Sequence, residues 1–86
     1  HMVSGKMLDY IEMEDGFSII KMRPPRDIQG FTMAESKVRE RFGVTIIGVK
    51  APGQPFEYAT EETKIGPEDV IIVSGDSALL EEFANR

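Results

Sequence analysis

Two short runs of almost uninterrupted apolar residues limit what this chain can fold into. They are VTIIGVK at 44–50 and VIIVSG at 70–75. Each run is far shorter than the ~20 residues that span a bilayer, and each is rich in the β-branched residues that favour strands. Because both faces of such a strand are apolar, we expect each to lie inside a sheet or to be covered by a partner.

A β-hairpin is predicted ahead of these strands, in the stretch DYIEMEDGFSIIKM at 9–22. Asp15-Gly16 is a favoured two-residue type I′ turn, because both turn positions need a positive φ. With that turn, one face carries four apolar side chains that we assign to the interior: Ile11, Met13, Ile20 and Met22. The other face is half apolar, with Tyr10, Phe17 and Ile19. The proline pair at 24–25 then ends the second strand.

A helix is predicted over residues 33–42. Thr32 followed by Glu35 is a capping-box pattern, so the helix should begin at Met33. Gly43 supplies the left-handed residue that commonly ends a helix. Apolar side chains recur at helical spacing in between: Ala34, Val38 and Phe42.

The second half of the chain predicts two more strands and a final helix. A short alternating strand is expected at 56–58, followed by a polar loop that ends in a Gly66-Pro67 turn. Asp76 is a good N-cap for a helix that carries Leu79, Leu80 and Phe83. The predicted order is β-β-α-β-β-β-α. This order favours a small α+β sandwich, with helices packed on a mainly antiparallel sheet.

The charge of the chain is negative overall but uneven. The net charge of −5 argues against a nucleic-acid partner, because phosphate contacts need a basic footprint. Residues 21–50 nevertheless carry seven Lys/Arg against three Asp/Glu, whereas residues 51–86 carry two against eight. Such blocks are usually solvated surface, but if an anion binds anywhere on this chain, we expect it to bind within the first block.

The sequence offers no catalytic or metal-binding constellation. We assign residues 1–2 to a cloning scar, which removes the only histidine, so the serines have no imidazole base to activate them. Cysteine is absent, and we find no calcium loop and no G-x-G-x-x-G motif. We therefore expect no enzyme activity, no required cofactor and no bound metal. No apolar run is long enough for insertion into a membrane.

The stretches IQGFTMAESKVRERFGVTIIGVKAPG and TEETKIGPEDVIIVSGDSALLEEF resemble the C-terminal domain of the regulator-of-potassium-conductance (RCK) family, also called the TrkA C-terminal domain. The resemblance covers residues 28–86 and assigns them to that regulatory domain. Residues 3–27 would then be a preceding hairpin and linker. The resemblance implies a cytoplasmic gating subunit of a potassium channel or transporter, or a regulatory module on another transporter, peripheral to the membrane through its partner. Members of the family dimerise through this domain, and a nucleotide-binding Rossmann domain usually precedes it.

One branch of the family binds cyclic di-AMP at the dimer interface of this domain. By motif position, the resemblance places the ligand contacts at Met33, Arg39, Thr45 and Ile46. That branch often carries Asn at the position of Thr45, so one amide contact to the adenine edge is missing here. Two functions stay open at this point. The chain is either a ligand-sensing domain of a potassium-uptake system or a ligand-free dimerisation module that transmits signals from the Rossmann domain.

Overall fold

A computed structural model describes residues 7–86 as a five-stranded antiparallel sheet with helices packed on it. The strands are β1 (Met7–Glu12), β2 (Phe17–Met22), β3 (Thr45–Lys50), β4 (Glu57–Tyr58) and β5 (Val70–Asp76). The helices are α1 (Met33–Ser36), α2 (Val38–Phe42) and α3 (Ser77–Ala84). This confirms the predicted α+β class and the predicted order of elements. The residues assigned to a cloning scar lie outside the described range, and the division of the chain at residue 27 stays a prediction.

The two apolar runs form the middle of the sheet, as their composition predicted. The strand order is β1-β2-β5-β3-β4, so β5 pairs with β2 and β3, and β3 pairs with β5 and β4. Their inward residues join the helices in a core whose largest members are almost completely buried: Ile20, Met22, Ile28, Ile65, Ile71, Val73, Leu80 and Phe83. Ile65 belongs to this core although its surroundings in the sequence are polar.

The hairpin forms where it was predicted, but with a different register. Asp15 and Gly16 do have positive φ, at 63° and 74°. The loop, however, contains three residues, Glu14–Gly16, and is closed by a hydrogen bond of 2.7 Å from Met13 N to Phe17 O. A two-residue turn would have closed the hairpin one residue later in β1.

The one-residue change moves the side chains of β1 to the opposite faces of the sheet. Tyr10 now lies opposite Ile20 and packs against the core, whereas Ile11 lies opposite Ile19. Ile11 and Met13 are 55% and 49% exposed. The prediction that these two residues point inward is therefore wrong, as is the outward assignment of Tyr10.

The predicted helix is broken in the middle. The capping box is present, with Thr32 Oγ1 accepting from Glu35 N at 3.2 Å and Glu35 Oε1 accepting from Thr32 N at 2.9 Å. The helical region also ends where it was predicted to end, at Gly43, which has a φ of 73°. Between these points Lys37 adopts a left-handed conformation, with φ 51° and ψ 42°, and separates α1 from α2. The spacing of apolar residues did not reveal this break.

The outer face of the sheet keeps exposed apolar side chains. On β2, Ile20 and Met22 are buried while Phe17 is exposed, so the two faces of this strand differ. Tyr58 of β4 is 91% exposed, and Ile47 of β3 is also exposed. Within residues 7–86, no helix is long and apolar enough to cross a bilayer.

Candidate functional site

A surface pocket of about 530 Å³ lies where the helix break, the start of β3 and residues 59–61 meet. Its lining residues are Met33, Ala34, Lys37, Val38, Arg39, Glu40, Thr45, Ile46, Ala59, Thr60 and Glu61. All four residues singled out from the sequence line this one pocket. They come from α1, α2 and β3, and only the tertiary structure brings these elements together.

The four residues differ in what they offer to a ligand. Arg39 is exposed on α2, whereas Met33 and Thr45 are half-buried at the first positions of α1 and β3. Ile46 is only 4% exposed and belongs to the core cluster. Any contact of Ile46 with a ligand must therefore come mainly from its backbone.

Arg39 and Arg41 have different environments, although both lie on α2. Arg41 Nη2 is 3.2 Å from Asp27 Oδ2, and Arg41 Nη1 donates to Ser36 O at 3.3 Å. Its guanidinium also lies 4.7 Å from the centre of the Phe42 ring. Arg39, by contrast, has no ion pair or side-chain hydrogen bond within residues 7–86. Its charged fork, a group suited to phosphate, is therefore available to a ligand at the pocket.

The start of α1 cannot itself bind an anion, because its amide groups are already hydrogen-bonded. Met33 N and Ala34 N donate to the carbonyls of Thr63 and Glu61, at 2.8 and 3.0 Å. The next two amides donate to the hydroxyl and the carbonyl of Thr32. These bonds also fix the wall formed by residues 59–61 against the helix. A phosphate in the pocket must therefore be held by side chains.

The start of β3 leaves backbone groups near the pocket. β4 pairs only with Gly48 and Val49, and Ala59 N donates to Ile47 O at 3.1 Å. The pairing of β3 with β5 is irregular between Ile46 and Gly48, where Ile47 is the extra residue. β4 thus does not extend to Thr45. The first residues of β3 pair with β5 on one side and line the pocket on the side that β4 leaves unpaired.

Four charged side chains line the pocket: Lys37, Arg39, Glu40 and Glu61. None of them forms an ion pair within the part of the chain that the structure describes. Lys37 and the two carboxylates were not predicted from the sequence as pocket residues. The cations at every second position of KVRER could have indicated a cationic site. In the continuous helix that was predicted, however, Lys37 and Arg39 point in different directions.

A separate charged cluster lies around Asp27 and stabilises the chain terminus. Arg86 Nη2 donates to Asp27 Oδ2 at 2.7 Å, and Arg86 also lies 4.3 Å from the centre of the Phe42 ring. The hydrogen bond from Arg86, together with the positive charges of Arg86 and Arg41, lowers the pKa of Asp27 despite its partial desolvation. None of these residues lines the pocket. We therefore assign the cluster to stability.

The residue types in the wall of the pocket are typical of a ligand-binding site. Residues 7–86 contain no histidine or cysteine, and they hold no group of three acidic side chains that could bind a metal ion. The pocket offers a half-buried apolar side chain, unpaired cations and strand backbone. Such a combination suits an anion with an aromatic part.

Comparisons with known proteins identify a relative, two solved structures of the same fold and a family. Ktr system potassium uptake protein C of Bacillus subtilis (strain 168) is 24% identical over 86 residues, which is 100% of this chain and 39% of that protein. The chain therefore spans well under half of that relative. The solved GsuK RCK domain matches with a TM-score of 0.74 and 22% identity, over 94% of this chain and 18% of that one.

A second solved structure is the RCK C domain of potassium transport protein KtrA in complex with cyclic diadenosine monophosphate. It matches with a TM-score of 0.70 and 22% identity, over 83% of this chain and 84% of that one. Likeness at this level of identity establishes the fold. The family model of the TrkA-C domain matches residues 17–86, which include β2 to β5 and all three helices. The chain therefore belongs to the TrkA-C domain family.

Proposed function

We propose that this chain is a cytoplasmic regulatory domain of a potassium-uptake channel or transporter, and that it senses cyclic di-AMP at its dimer interface. One observation carries the proposal: the guanidinium of Arg39, which has no ion pair within residues 7–86, lies in the same pocket as Met33 and the start of β3. The KtrA domain that was solved with cyclic di-AMP has the same fold, which supports the choice of ligand. The relative that acts in potassium uptake supports the physiological role.

In the proposed complex, each phosphate of the ligand contacts Arg39 of one protomer. The purine lies against Met33, and the backbone of Thr45 and Ile46 reads its edge. A ligand with two-fold symmetry suits an isologous dimer, because each protomer then repeats the same contacts. The pocket of a single protomer supplies half of such a site.

The proposed partners follow from the family and from the length of the relatives. A Rossmann domain would precede this domain in the full-length protein, and a membrane subunit would transport the potassium. The domain itself would act without catalysis, as a peripheral part of that assembly at the inner face of the membrane. The family and the uptake protein of B. subtilis support this arrangement.

A ligand-free dimerisation module is the second candidate. The observation that favours it is the pair of carboxylates, Glu40 and Glu61, in the same pocket as the cations. Both carboxylates repel a phosphate, because all three groups are negatively charged. They also balance the two cations of the pocket, so that the lining has no net charge. In this case Arg39 would be an ordinary cation near a helix C-terminus.

Calorimetric titration with cyclic di-AMP, beside cyclic di-GMP and ATP, separates the two candidates. A charge-assisted hydrogen bond contributes about 1.5–3 kcal/mol, so Arg39→Ala should weaken cyclic di-AMP binding by more than about tenfold. Arg26→Ala is the matched control, because Arg26 is also exposed and cationic but lies outside the pocket. Absence of heat with saturating cyclic di-AMP would leave the dimerisation module as the function.

A further inference from the structure

We propose that Lys37 is a second phosphate-binding residue of the pocket, placed there by the break between α1 and α2. The proposal rests on the proposed function, because it concerns the same ligand. Lys37 is exposed, lines the pocket, and has no side-chain hydrogen bond or ion pair within residues 7–86. Neither the family resemblance nor the sequence pattern assigned a ligand contact to it.

The break in the helix brings Lys37 and Arg39 to one pocket. In a continuous α-helix, residues two apart point about 200° from one another and do not face a common ligand. The left-handed conformation of Lys37 removes that restriction. The break is fixed on both sides, since Ser36 Oγ donates to Met33 O at 2.8 Å and Arg41 N donates to Lys37 O at 2.8 Å.

The backbone at this position does not call for a lysine. A left-handed residue with a Cβ atom is strained, and glycine or asparagine adopts the conformation most readily. Lys37 and Asp15 are the two residues other than glycine with positive φ in the described range. Asp15 lies in the hairpin turn, whereas Lys37 lines the pocket. The backbone conformation therefore gives no reason for a long cationic side chain at this position, whereas a ligand contact in the pocket does.

The charge of the lining gives an independent reason. Without Lys37, the lining would hold Arg39 against Glu40 and Glu61 and would carry a net charge of −1. With Lys37 the net charge of the lining is zero. The two cations lie close together in the chain, Lys37 at the break between α1 and α2 and Arg39 on α2. In the proposed complex, each phosphodiester contacts Arg39 and Lys37 of one protomer, and these two positive charges offset the repulsion from the two carboxylates. Arginine would supply the bidentate contact, and lysine the compact charge.

The test is titration of cyclic di-AMP into wild type, Lys37→Asn, Lys37→Arg and Arg26→Asn. Asparagine keeps the left-handed backbone and removes the charge, so Lys37→Asn should melt at or above the wild-type temperature. An exposed ionic contact repeated in both protomers predicts about tenfold weaker binding for this variant. Lys37→Arg should stay within about threefold of wild type, and Arg26→Asn should bind like wild type. The salt dependence of binding should be shallower in Lys37→Asn.

The outcomes distinguish this inference from the proposed function. If wild type binds and Arg39→Ala fails to bind, but Lys37→Asn binds normally, the role of Lys37 is refuted and the proposed function stands. If Lys37→Asn weakens binding and Lys37→Arg does not restore it, the lysine charge is not the cause, and the inference is again refuted. If wild type binds no cyclic di-AMP, both proposals fail.

Discussion

Arg39 and Arg41 should respond to truncation in opposite ways, although they lie two residues apart on α2. Arg41→Ala removes the ion pair with Asp27, the hydrogen bond to Ser36 O and the contact with the Phe42 ring. Arg39→Ala removes no such contact among residues 7–86. We therefore expect Arg41→Ala to lower stability with little effect on ligand affinity, and Arg39→Ala to lower affinity with little effect on stability.

The size of the Arg41 effect follows from its contacts. An exposed ion pair contributes about 0.2–1 kcal/mol, and an exposed cation–π contact adds about 0.5–1 kcal/mol. The Arg41 side chain is 42% exposed, which places both contributions in the solvent-screened range. The free energy of unfolding should therefore fall by about 0.7–2 kcal/mol. For a domain of this size, each kcal/mol lowers Tm by about 4–8 °C.

Thermal unfolding followed by circular dichroism measures this effect in wild type, Arg39→Ala and Arg41→Ala. A double-mutant cycle of Arg41→Ala with Asp27→Asn then isolates the ion pair from the ring contact. Equal losses of stability in the two arginine variants would refute the assignment of Arg41 to structure and Arg39 to binding. The same conclusion would follow if Arg41→Ala reduced cyclic di-AMP affinity as much as Arg39→Ala.

Two further predictions concern pH and assembly. The pKa of Asp27 is lowered in the folded state, mainly by the hydrogen bond from Arg86, so its stabilising contribution is present above the unfolded pKa of about 3.9. That contribution is lost as the pH falls through the lower folded pKa. Wild type should therefore lose its stability advantage over Asp27→Asn below about pH 4. A difference in unfolding free energy between the two proteins that does not change with pH would contradict this. Sedimentation at tens of micromolar should give a homodimer, because the exposed Ile11, Ile47 and Tyr58 leave apolar strand surface for a second copy. A monomer at that concentration would contradict the dimeric site.

Local signals along the chain were enough to predict the type and order of the elements. The apolar runs at 44–50 and 70–75 predicted interior strands because their β-branched side chains need burial on both faces. Two helix starts were predicted from capping residues, namely Thr32 with Glu35 for α1 and Asp76 for α3. Their side-chain oxygen atoms accept hydrogen bonds from backbone amides at the helix start, which have no partner within the helix. These signals act over three or four residues, and the tertiary structure did not override them.

The register of the hairpin could not be settled in the same way. Asp15-Gly16 fits both a two-residue and a three-residue loop, because either loop can accommodate positive φ at these positions. The longer loop places Tyr10 against the core and exposes Ile11. The choice between the loops depends on how β1 packs against the rest of the fold.

Part of the candidate site was likewise predicted from the sequence, and part depends on the tertiary structure. The family resemblance named Met33, Arg39, Thr45 and Ile46, and the basic segment at 21–50 indicated where an anion would bind. The left-handed break at Lys37 and the wall at 59–61 depend on long-range contacts, such as the hydrogen bond from Ala34 N to Glu61 O. A continuous helix satisfies the local sequence equally well, so only the packing of α1 against residues 59–63 decided which charged side chains line the pocket.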